Sequence, residues 1–139
     1  IITVLKDQSP NTEQGAEAAY CSADQDKFWE YSNDIIPRIK RDFFDKGIGV
    51  KNVINPRKID KLPLSYFEES AGTVGLDVEK FTNCVRESQH AQEISKNTEK
   101  AIALGVTGLP FIAVNGFTTS GFEAGWNGME KLMLAGGVR

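Results

Sequence analysis

Positive charge, long apolar runs and metal-ligand spacing are all scarce in this chain of 139 residues, and each scarcity closes off a class of function. With 16 Lys and Arg against 19 Asp and Glu, the formal net charge is -3. A nucleic-acid footprint needs a clustered basic excess, so no nucleic-acid partner is expected. The one basic run, "PRIKRDFFDK" at residues 37–46, is interleaved with aspartates and reads as a solvated helix face. No apolar run approaches the ~20 residues that a membrane-spanning helix needs, so no transmembrane segment is expected. The two cysteines, Cys21 and Cys84, form no CxxC, and the single histidine, His90, completes no Cys/His set at ligand spacing. Neither a metal nor a cofactor is expected. Internal repeats and low-complexity tracts are absent as well.

What remains is ordinary for one globular domain: 40% hydrophobic and 25% charged residues, enough for a single core. "IITVLK" is apolar and β-branched and breaks at "DQSPN", the pattern of a short buried strand. From Glu13 the period becomes helical. "EQGAEAAYCSA" brings Ala16, Ala19, Tyr20 and Ala23 onto one face, and "SADQDKFWEYSNDIIPRI" follows with Phe28, Trp29, Ile35 and Ile36. Pro37 is expected to kink or restart that helix. Residues 45–58, rich in Gly, Asn and Lys, read as an exposed loop. A third helix is predicted from about Pro63 to Gly72. A fourth opens on Asp77 as N-cap, with Val78, Phe81, Cys84 and Val85 on one stripe. A fifth closes at Gly105. Then "FIAV" and "FTTSG" flank Asn115-Gly116, a strong hairpin signal. A last helix carries Met129, Leu132 and Met133 inward and stops at Gly136-Gly137.

Strand, helical middle, proline-led hairpin and closing helix make up the second half of a thioredoxin-type sheet with helices inserted in its crossover. In three segments the chain resembles the DsbA-like thiol-disulfide oxidoreductases. "AEAAYCSADQDKFWEYSNDI" is similar to the opening of that family's helical insert. "LDVEKFTNCVRES" resembles a later insert helix bearing a second cysteine, and "NTEKAIALGVTGLPFIAVNG" resembles the helix, cis-proline loop and hairpin. The resemblance implies an α/β, thioredoxin-like fold with an inserted all-helical domain. Its thioredoxin-like portion would be residues 1–12 and 98–139, and its insert residues 13–97.

It also implies a site. Thr107, Gly108, Leu109 and Pro110 match the cis-proline loop, with Pro110 as the cis proline and Leu109 offering its backbone to an extended substrate. The family often carries Thr or Val before the proline, so Leu109 departs from the pattern and removes a hydroxyl that tunes the redox centre. Lys6 falls where some members place a charged residue beneath the active site as a proton relay. A lysine at a strand end reaching solvent is the competing reading. Cys21 and Cys84 match positions that a subset of the family joins in a structural disulfide; two buried thiols are the alternative.

The family's nucleophile lies in a CxxC at a helix N-terminus, where the helix dipole lowers the thiol pKa. By resemblance, that helix and the strand before it would precede Ile1, and both are absent from these residues. The expectation is a truncated or cleaved protein, or one whose missing strand comes from another or a swapped chain. Its substrates would be proteins or peptides with thiols or disulfides, with a redox partner to recycle it, in a periplasmic or other extracytoplasmic compartment. A redox-inactive peptide-binding module and a glutathione-using relative are the rival functions. His90, Asp24 with Asp26, and Glu68-Glu69 read as caps and surface. Phe28, Trp29 and Tyr31 read as insert core, and the Gly-rich "GFEAGWNG" lacks the spacing of a phosphate loop.

Overall fold

The structure, a computed structural model, describes residues 9–49, 59–106, 111–120 and 125–137. The strand read at "IITVLK", most of the loop read at residues 45–58, Lys6, and Thr107, Gly108, Leu109 and Pro110 lie outside the described residues. The chain divides into two compact units, Ile1–Thr98 and Glu99–Arg139.

The first unit is helical. Its elements are α1 (Thr12–Ala23), α2 (Phe28–Asp42), a 3-10 turn at Phe44–Lys46, α3 (Leu64–Thr73), α4 (Val78–Glu87) and α5 (Ala91–Ala103), which carries the division between the units. In α1 the buried residues are Ala16, Glu17, Ala18, Cys21 and Ser22, while Ala23 is exposed. The expected stripe through Ala19, Tyr20 and Ala23 is therefore displaced. Helices α2, α3 and α4 all lie against α1, and its buried surface follows the side on which Cys21 faces α4.

Pro37 stands inside α2, which continues to Asp42 without restarting. The proline is on the exposed side, where the carbonyl that its ring leaves without a donor is open to hydration. Tyr31 and Ile35, one turn apart, are buried. Trp29 is 73% exposed and Ile36 65%, so these two stand on the opposite face and not in the core. Pro63, extended, caps α3 immediately before its first residue. Asp77 is the N-cap of α4 as expected, its carboxylate accepting from the Lys80 N–H at 3.0 Å.

One apolar core gathers Ala18, Cys21, Tyr31, Ile35, Phe67, Ala71, Leu76, Phe81, Cys84 and Val85. Tyr31 and Phe81 sit with ring centroids 5.4 Å apart, a contact between α2 and α4. Side chains from one loop cap the next. Gln25 exchanges two hydrogen bonds with the backbone of Asp77. The Lys27 ammonium donates to the carbonyl of Val74 at 2.6 Å, a cation at the C-terminus of α3.

In the second unit, Gly105 at φ +81° lets the Val106 N–H reach back to the Ala101 carbonyl and closes α5, as expected. Strands β1 (Phe111–Val114) and β2 (Phe117–Ser120) pair antiparallel, Val114 opposite Phe117. Asn115 and Gly116 both have positive φ, 47° and 88°, the two-residue turn that Asn-Gly favours. Helix α6 (Gly125–Ala135) buries Leu132, half-buries Met133 and ends at Gly136. The side chain of Met129 is not among those described. A Cβ on Gly136 would lie 2.6 Å from Val114 Cγ1 and 2.9 Å from the Val114 carbonyl oxygen, so α6 can meet the hairpin here only through glycine. The Asn115 amide adds a 2.6 Å hydrogen bond to the Gly136 carbonyl.

Candidate functional site

The chemistry-bearing residues of the helical unit converge on one bridge. Cys21, in the last turns of α1, is bonded to Cys84 in α4, with Cα atoms 5.9 Å apart. Among the described residues no free cysteine remains. The surrounding backbone aims further side chains at this point. Helix α1 stops at Asp24, after which Asp26 takes a left-handed conformation (φ 58°) and Lys27 N–H bonds the Ser22 carbonyl. Helix α4 stops in the same way: Ser88 is left-handed (φ 52°), and the Gln89 N–H returns to the Cys84 carbonyl. The chain then reverses, and His90 comes back over the bridge.

His90 is held from three directions. Its backbone N–H donates to the Glu17 carboxylate at 2.6 Å, which accounts for a glutamate only 4% exposed. Its ring stacks on Tyr20, centroids 5.1 Å apart, and the Tyr20 hydroxyl accepts in turn from the Asn97 amide. Its Nε2 lies 2.7 Å from Asp24 Oδ2; a carboxylate only accepts, so Nε2 carries the proton in this pair. The same Asp24 oxygen is 3.8 Å from Cys84 Sγ, a contact and not a hydrogen bond, because a disulfide sulfur has no proton to give. A ring nitrogen of His90 and both sulfurs lie within 4.8 Å of one another. Over the bridge opens a cleft of about 400 Å³ whose charged lining is Asp24, Asp77, Glu79 and Lys80, three carboxylates to one ammonium.

His90 is thus half-buried and not a solvated surface residue, whereas Asp24 is the exposed C-cap of α1, as expected. In sequence the two stand 66 positions apart; Asp24 follows Cys21 by three residues, but nothing in the spacing ties His90 to either of them. The signal that could have found them is indirect: Ser88 has no glycine's freedom, yet the chain must turn there for α5 to follow α4.

A second charged group fixes α2 on α3. The Arg38 guanidinium lies 4.6 Å over the Tyr66 ring and pairs with Glu69, while the Tyr66 hydroxyl donates to Asp42 at 3.0 Å. Arg41 donates to the other Asp42 oxygen at 2.8 Å. That hydrogen bond, helped by Tyr66, holds the Asp42 carboxyl down at about 2, and burial with the Asp42 contact pushes the Tyr66 hydroxyl up to about 12. The basic run at residues 37–46 is therefore only partly a solvated face: Arg38 packs inward while Lys40 and Arg41 stay exposed. Burial and the nearby Asp34 raise the Tyr31 hydroxyl, which is itself unpartnered among the described residues.

A family model for the DSBA-like thioredoxin domain matches residues 3–135. The chain belongs to the DsbA-like thioredoxin family. No curated protein and no solved structure matches it. Membership of this family suggests a thiol-disulfide oxidoreductase relationship, and the helical first unit is compatible with the insertion that interrupts a thioredoxin sheet. No helix among the described residues is long and apolar enough to cross a membrane.

Proposed function

We propose that this DsbA-like chain serves thiol-disulfide exchange on protein and peptide substrates in an extracytoplasmic compartment, and that its own part is to hold the substrate. Family membership over residues 3–135 carries this reading. In sequence Thr107, Gly108, Leu109 and Pro110 stand between the end of α5 and β1, and in this reading an extended peptide adds main-chain hydrogen bonds beside Leu109. In this reading the nucleophile is a thiolate from a CxxC outside the 139 residues. It attacks one substrate sulfur, the other sulfur leaves as a thiolate, and the resulting mixed disulfide is resolved by the second cysteine. Lys6 would relay a proton at the buried thiol. A redox partner would return the site to its starting state.

A second reading has its own support: both cysteines are engaged with each other, so the described residues alone hold no thiol to exchange. By itself the chain would then be a peptide-docking module. The test is the protein as its own cell makes it, incubated with a cysteine-containing peptide disulfide and quenched with acid. A mixed disulfide that is lost on reduction supports exchange. Stoichiometric peptide binding without any covalent adduct, weakened by Leu109→Asp, supports docking and removes the enzyme.

A further inference from the structure

The bridge, His90 and Asp24 form a second centre that thiol-disulfide exchange at the proline loop leaves without a role. Two sulfurs and an imidazole nitrogen lie within 4.8 Å of one another, and a carboxylate oxygen touches two of the three residues, 2.7 Å from Nε2 and 3.8 Å from Cys84 Sγ. Thiolate, thiolate, imidazole and carboxylate are a four-ligand set that suits tetrahedral Zn²⁺. Two sulfurs held at zinc distance stand about 3.8 Å apart, and a sulfur and a carboxylate oxygen about 3.5 Å. The second separation is nearly met at 3.8 Å. The first requires that the bond between the sulfurs be broken and the side chains rotate, which a Cα separation of 5.9 Å accommodates.

We propose that the Cys21–Cys84 bridge is the oxidised, closed form of a Zn²⁺ site, opened by reduction. A dithiol donor passes two electrons and two protons to the bridge, leaving as its own disulfide while Cys21 and Cys84 become thiols. Zn²⁺ then displaces the two thiol protons and binds both sulfurs, Asp24 and one His90 ring nitrogen, the neutral imidazole keeping its single proton on the other nitrogen. The surroundings fit that occupant. The cleft gives access to two cysteines that are otherwise 1% and 5% exposed. Its excess of carboxylates draws a cation. Glu17, through the His90 backbone N–H, and Tyr20, through ring stacking, already hold His90 over the sulfurs. Nothing in this centre involves Thr107–Pro110, so it stands or falls apart from the exchange reading.

The experiment is a Co²⁺ titration of the full 139-residue chain, oxidised and after phosphine reduction under argon. The reduced chain should take one equivalent, with a thiolate-to-cobalt charge-transfer band and the intense visible bands of a tetrahedral ion, and Zn²⁺ should displace it. The oxidised chain and Cys84→Ser should show no such band. His90→Ala should weaken binding at least ~10-fold, as should Asp24→Ala. A reduced chain without the charge-transfer band overturns the proposal. Equal affinity in the wild type and His90→Ala overturns it too, because any exposed dithiol would then suffice. Loss of helical circular dichroism on reduction that metal does not restore is equally fatal.

Discussion

Removing the Cys21–Cys84 bond should destabilise the helical unit by about 4 kcal/mol, through the unfolded chain more than through lost contacts. The bond joins residues 63 positions apart. In the chain-entropy model, closing a loop of that length removes about 14 cal/mol/K from the denatured ensemble, roughly 4 kcal/mol at room temperature. Between the two cysteines lie Tyr31, Ile35, Phe67, Ala71, Leu76 and Phe81, most of the core, so unfolding this unit must open that loop. For a unit of this size the loss corresponds to a fall in Tm of roughly 15–30 °C. Urea unfolding of the oxidised chain, the reduced chain and the Cys21→Ala/Cys84→Ala double variant measures it. Each single variant should cost about as much as the double, since either removes the whole cross-link. The m-value should rise when the bond is lost, because the freed unfolded chain exposes more surface. A loss below 1 kcal/mol, or an unchanged m-value, would refute the reasoning and leave local packing around the sulfurs as the whole effect.

Three smaller changes probe other parts of the structure. Tyr31→Phe removes a buried hydroxyl that has no hydrogen-bond partner among the described residues and keeps the ring against Phe81, so chemical denaturation should show a gain of about 1 kcal/mol; a loss of that size would reveal a partner for the hydroxyl. Because the Asp42 carboxyl is held at about 2 in the folded chain, the unfolded chain binds more protons below its ordinary value, and stability should fall as pH drops from ~5 to ~2. Asp42→Asn should flatten that part of the pH profile, and a slope that survives the substitution would assign it to other carboxylates. Gly136→Ala forces a Cβ against the Val114 carbonyl and should destabilise the second unit by about 1–3 kcal/mol, read as faster amide exchange in the hairpin; unchanged exchange would mean that the end of α6 moves away freely.

How far the residues alone reach is best seen by comparing Asn115 with His90. The Asn-Gly turn, the Asp77 cap and the Gly105 closure are local: each is decided by the φ a residue tolerates or by an oxygen three residues from an N–H. Such features appear in the sequence directly. Family membership was legible for a related reason, since the quoted runs through Cys21, Cys84 and Pro110 are contiguous. Helix α2 shows the limit. Its period is readable, but which face of it looks inward depends on where the neighbouring helices stand, so the spacing puts Trp29 in the core and the structure puts it outside. His90 was harder still. Its partners Glu17, Tyr20 and Asp24 are 66 to 73 residues away, and only two helix ends closed by left-handed Asp26 and Ser88 bring them together.

The bridge also has a mechanical consequence. A motor that pulls the oxidised protein from either end, as an unfoldase or a translocation channel does, transmits its force from Cys21 straight to Cys84. The residues between them never come under tension, and the chain that can be drawn out is shorter by about 200 Å. What arrives at the pore is not a single strand but a closed ring of polypeptide carrying most of the core of the helical unit, and a pore wide enough for one extended chain must either admit two strands abreast or wait until the sulfurs part.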